Sequence, residues 1–113
     1  MAYNLDRILE LGDGDKDFVE AVVMAFVEEI PEDLSQFTKA VDAENYNQIY
    51  AVSHKIKPNL ELLGMMQSYE LNLEILAWSK TESKISDIRS NYQKVYTKIT
   101  ANIAALKKDF NLE

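Results

Sequence analysis

The sequence predicts an all-α fold: an antiparallel up-down four-helix bundle with a short additional helix at its N-terminus. Three observations carry the prediction. Apolar residues recur at spacings of three and four along most of the chain, the period of one helix face. The 113 residues include only 3 Gly and 2 Pro, too few for the turns of an all-β chain. The links between apolar stripes are short, and short links favour antiparallel neighbours. With 47% hydrophobic and 27% charged residues the chain reads as globular. Residues 1–113 make one domain with one modest core, without repeat or linker.

The elements follow in order. Leu5, Ile8 and Leu9 predict a short first helix that stops at Gly12-Asp13-Gly14. Asp13 or Asp15 can cap the second helix, whose stripe is Phe18, Val22, Phe26, Ile30, Leu34, Phe37 and Val41. This stripe reads as core, leaving only its exposed edge for a partner. Pro31 interrupts it, and a kink or a break is expected there because proline removes a backbone donor and crowds the preceding turn. The third helix starts around Asp42-Ala43-Glu44 and ends near Gly64. The fourth runs from about Met66 to Ser79 with Tyr69, Leu73 and Leu76 inward, followed by a polar connection from Ser79 to Ser83. The last and longest carries Ile85, Ile88, Tyr92, Val95, Ile99, Leu106 and Phe110. Met65-Met66 read as gap fillers at a turn, Trp78 as packing, and Glu28-Glu29-Pro31-Glu32-Asp33 as a solvated face rather than a metal site.

Several function classes are excluded or disfavoured. Cysteine is absent, which removes disulfides and thiolate chemistry. No apolar run approaches the ~18 residues of a membrane span. Met1-Ala2-Tyr3-Asn4-Leu5-Asp6 lacks the basic-then-apolar order of a secretory signal, so the cytoplasm is expected. The terminal Leu112-Glu113 is compatible with a cloning remnant. A net charge of -7 argues against nucleic-acid binding, since phosphate contacts need a basic face.

The chemistry-bearing residue is the only histidine, His54. At 100° per residue, Ile49, Val52, Ile56, Leu60 and Leu63 share a narrow arc and His54 points away from it. An exposed imidazole in mid-helix with Lys57 at i+3 suits an anionic group, specifically a phosphoryl group carried on nitrogen. An unperturbed imidazole, titrating near ~6.5, is a competent nucleophile at neutral pH. Its surface neighbours are Asn47, Tyr50, Ala51, Lys57, Pro58 and Glu61. Ala51 and Pro58 are compact and leave the ring open. Nothing nearby supplies a general base, a metal cluster or an oxyanion pocket, so a partner has to bring the machinery.

The run His54, Ile56, Lys57, Pro58 and, after Leu63, Gly64 resembles the hallmark of the histidine-containing phosphotransfer (HPt) domains of multistep phosphorelays. That hallmark is a histidine followed by an apolar residue at +2, lysine at +3, a small residue at +4 and glycine about ten on. Gly14-Asp15-Lys16-Asp17-Phe18-Val19 and Phe26-Val27-Glu28-Glu29-Ile30-Pro31 resemble the family's second helix, and the likeness spans roughly residues 3–110. One departure is Pro58, where the family usually has Gly. It keeps the position small but frees the His54 carbonyl from its i→i+4 bond.

The resemblance implies a phosphocarrier without enzymatic activity of its own. His54 accepts a phosphoryl group from a receiver-domain aspartate and passes it to another receiver, and Lys57 neutralises charge. The partners implied are response-regulator receiver domains, with a hybrid histidine kinase as one source. No cofactor is expected on this chain, Mg²⁺ being held by the receiver, and a monomer is expected. The docking surface implied comprises exposed side chains of the first helix, Ile8 and Leu11, with Asn47, Tyr50, Ala51, Pro58, Glu61 and Gly64. Two other readings are a helical adaptor that binds receivers without phosphorylation and the dimerisation segment of a histidine kinase. The latter typically has an acidic residue directly after the histidine and Pro five on, where this chain has Lys55 and Asn59.

Overall fold

Helix ends in this chain lie where a side chain or a left-handed residue can serve the unpaired backbone groups of a terminus. In the computed structural model, which describes residues 3–112, α1 spans Asp6–Leu11 and closes in a turn with Gly14 at φ 77°. The readings at Met1, Ala2 and Glu113 lie outside the described residues. Asp15 caps α2 (Lys16–Asp42), its carboxylate accepting the Asp17 and Phe18 N–H groups at 2.9 and 3.4 Å. Asn45 caps α3 (Tyr46–Leu62) by accepting the Gln48 N–H at 3.2 Å. This puts the start of α3 a few residues later than expected, because Glu44 is left-handed at φ 53°. After Gly64, α4 covers Met66–Lys80 and α5 covers Ile85–Asp109.

The expected kink or break at Pro31 is not a break, since α2 runs through it as one helix of 27 residues. Val27, Ile30, Leu34 and Phe37 dock on the same core from both sides of the proline. That shared burial outweighs the roughly 3 kcal/mol proline costs inside a helix. Pro58 is carried within α3 in the same way, between buried Ile56 and Leu60.

The four long helices pack in the cyclic order α2, α3, α4, α5, and α1 lies on α2. This is the expected five-helix arrangement. Two details of the interior differ from expectation. At the start of α2 the inward line is Val19 and Val23, while Phe18 is 41% exposed and Val22 only half-buried. Phe18 turns back over Gly12 instead, where any added Cβ would meet its ring. In α4 the buried positions are Ser68, Asn72, Ile75 and Ser79, and the expected Tyr69, Leu73 and Leu76 are half-buried. Small and amide side chains take the line facing α3 and α5, and the larger apolar residues fill its flanks. Met65 is buried as expected, but Met66 is 46% exposed.

Candidate functional site

The site is built on the outer face of α3. Ile49, Val52, Ile56 and Leu60 anchor its inner face in the core, which fixes His54 outward and exposed in mid-helix. The Tyr50 ring, one turn earlier, stacks on the imidazole with centroids 5.9 Å apart and planes 24° off parallel. On the side of α4, His54, Lys57, Pro58 and Glu61 line a shallow depression together with Tyr69 of α4. Partial burial, and next the Glu61 carboxylate, raise the Tyr69 phenol above its ordinary pKa. An anion seated in this depression would meet the Lys57 ammonium and the imidazole together. Ala51, one turn before His54, is exposed and small, so no bulky side chain covers the ring from that position.

Two polar pairings flank His54, one on each side. Ser53 is fully buried against α4: its hydroxyl donates to the Asn72 Oδ1 at 2.7 Å, and the Asn72 amide donates back to the Ser53 carbonyl at 2.9 Å. Toward α2, Lys55 Nζ donates to Asp33 Oδ1 at 2.6 Å, with Asp33 2% exposed. The Asp33 carboxylate, with Glu29 and Glu32 beyond it, raises the Lys55 pKa, partly offset by desolvation of the ammonium. The acidic run was expected to be a solvated face throughout, and Asp33 departs from it by pairing across the helix seam.

The structure brings together His54, Lys57, Pro58 and Glu61, with Tyr50 stacked alongside and Asn47 and Ala51 exposed on the same helix. One residue expected at the docking surface, Ile8, is not exposed to a partner. Ile8 is fully buried, because a six-residue helix has one face to spend and Ile8 is its core contact. Gly64 is a turn residue at φ 64°, and a Cβ there would lie 2.6 Å from the Asn4 backbone oxygen. Leu11 is exposed at 63%, and Phe18, at the start of α2, at 41%. Sequence reasoning missed Asp33, Ser53, Asn72 and Tyr69. The legible signal for one of them, Asn72, was a polar line, Ser68, Asn72 and Ser79, at helical spacing among the apolar residues of α4.

The architecture matches a solved structure over nearly its full length. The crystal structure of the HPT domain from the Hpt sensor hybrid histidine kinase from Shewanella superposes with a TM-score of 0.85. The match covers 99% of this chain and 96% of that one at 15% sequence identity. The fold is that of an HPt domain. No protein-family model and no curated protein matches the sequence. At this identity the HPt likeness is one of fold, and the site must be read from this chain's own residues. Among the described residues no helix is long and apolar enough to cross a membrane.

Proposed function

We propose that this protein is a phosphorelay intermediate, accepting a phosphoryl group on His54 from a receiver-domain aspartate and passing it to another receiver. The observation that carries the reading is the exposed His54 imidazole, oriented by Tyr50 and sharing its depression with Lys57, on an HPt fold. A lone-pair nitrogen of the neutral imidazole forms the N–P bond as the aspartyl O–P bond breaks. The carboxylate leaves with that electron pair, and the proton on the other ring nitrogen passes to solvent. Return transfer reverses these bonds onto a second carboxylate.

The site supplies a nucleophile and one cation, and catalysis by positioning and charge neutralisation falls to the complex with the receiver. The receiver would bring Mg²⁺ and its acidic pocket, so this chain acts as a carrier rather than an enzyme. In this reading the receiver approaches over Ala51 and Pro58, the exposed compact neighbours of the imidazole, from the side of the first helix, where Leu11 is exposed.

The test is transfer from a phosphorylated receiver to the purified protein. Wild type should gain acid-labile phosphate, and His54→Gln should gain none while its circular dichroism stays unchanged. Phosphate on His54→Gln would move the acceptor elsewhere and end this reading. Ala51→Trp should fold normally and lose receiver-dependent transfer, and unimpaired transfer would place the receiver on another side.

A further inference from the structure

Asp33 is a charged side chain in an apolar row. Its neighbours along the inner face of α2 are Ile30, Leu34 and Phe37, all buried, and Asp33 is buried with them at 2% exposure. One carboxylate oxygen bonds Lys55 Nζ at 2.6 Å, and the other, Oδ2, is buried without a hydrogen-bond partner among the described residues. A buried ion pair is weak evidence for stability, and replacing such pairs by apolar residues is often neutral or stabilising. Stability alone therefore does not account for a carboxylate at this position. What the carboxylate does is hold Lys55, the residue directly after His54, whose side chain is otherwise 63% exposed.

The two lysines beside His54 are thus treated differently. Lys57 lies in the depression with the imidazole and forms no ion pair among the described residues. Lys55 is drawn to the α2 side by Asp33, with Glu29 and Glu32 adding to the pull. Two ammonium groups on one phosphoryl group of charge about -2 would stabilise the phosphorylated form and oppose its onward transfer. We propose that Asp33 is a positioning residue for the acceptor site: by sequestering Lys55 it leaves Lys57 to meet the phosphoryl group and keeps phosphohistidine labile enough to hand on. The inference rests on the reading of His54 as phosphoacceptor.

The experiment labels the protein with phosphoramidate, a small donor that needs no docking, and follows the half-life of acid-labile phosphate. Asp33→Asn and Asp33→Leu should each lengthen the half-life about twofold to fivefold, the range of one partly exposed charge contact. They should slow onward transfer to a receiver by a similar factor. Asp33→Leu fills the buried position with apolar volume and keeps the test available if Asp33→Asn folds poorly. The decisive variant is Asp33→Leu/Lys55→Met, which should return to the wild-type half-life because the released ammonium is gone. A merely structural role for Asp33 would not be rescued in this way. An unchanged half-life in both single variants overturns the proposal, as does a lengthened one that persists in the double variant. Failure of wild type to acquire any acid-labile phosphate would instead defeat the reading of His54 itself, and this inference with it.

Discussion

The two seams on either side of α3 are built from different chemistry. Toward α4, Ser53 and Asn72 exchange neutral hydrogen bonds with both groups fully or nearly fully buried. Toward α2, Lys55 and Asp33 form a charged pair with one end in the interior and the other largely in water. A buried reciprocal pair has no alternative partner, so it sets the rotation of α3 about its axis and with it the direction of His54. A half-exposed ion pair can exchange its partner for water, so it can regulate a neighbouring charge without being needed by the fold. Rigidity and adjustability thus flank the same histidine.

That contrast can be broken from the α4 side first. Asn72→Ala strands the Ser53 hydroxyl and carbonyl in the interior and should lower stability by about 2–3 kcal/mol, read by chemical denaturation. Ser53→Ala removes one of the two bonds and leaves the Asn72 carbonyl oxygen short of a donor, for an expected loss of about 1–2 kcal/mol. The double substitution Ser53→Ala/Asn72→Leu should recover much of this, since an apolar pair leaves no orphaned group. Costs that simply add would show that the seam is held by packing rather than by the exchange of hydrogen bonds.

A third seam, between α2 and α5, gives a pH-dependent comparison. Tyr92 donates to the Leu34 carbonyl at 2.9 Å and shares a 2.7 Å hydrogen bond with Thr38, and burial lifts its phenol from 10.0 to about 12. A pKa raised on folding contributes stability that is whole below the unfolded value and is lost as pH rises through the folded one. Stability should therefore fall between pH about 10 and about 12, with a shallower fall in Tyr92→Phe. An equal slope in the variant would assign the alkaline loss to other groups. The smallest effect belongs to the charged seam: Asp33→Leu should stay within about 1 kcal/mol of wild type in a thermal melt. A large loss there would make the ion pair structural and erase the contrast between the two sides of α3.

The helices were legible because amphipathic period is a local property. Three- and four-residue spacing placed all five helices, and the angular offset of His54 from Ile49, Val52, Ile56 and Leu60 placed the imidazole outside before any packing was known. Asp15 was visible as one of two candidate caps, with Asp13, for the same reason, since a cap acts within one turn. Lys57 followed from i+3 adjacency. These inferences needed only the geometry of one helix.

Packing between helices determined the rest. Ile8 and Leu11 belong to the same short apolar helix, and only contact with α2 makes one core and the other surface. Gly64 stands in the motif run that follows His54, but the backbone of Asn4 against it makes it a turn residue. Asp33 looks like one more solvated acid until Lys55 arrives from another helix, 22 residues away in sequence. Asn72 likewise gains its meaning from Ser53, 19 residues distant. By itself, then, the sequence determined where the helices lie and which way His54 faces, because both follow from short-range periodicity. Only the tertiary structure decided which polar residues are buried and which lysine is left beside the histidine, because burial and pairing depend on side chains from helices that periodicity cannot bring together.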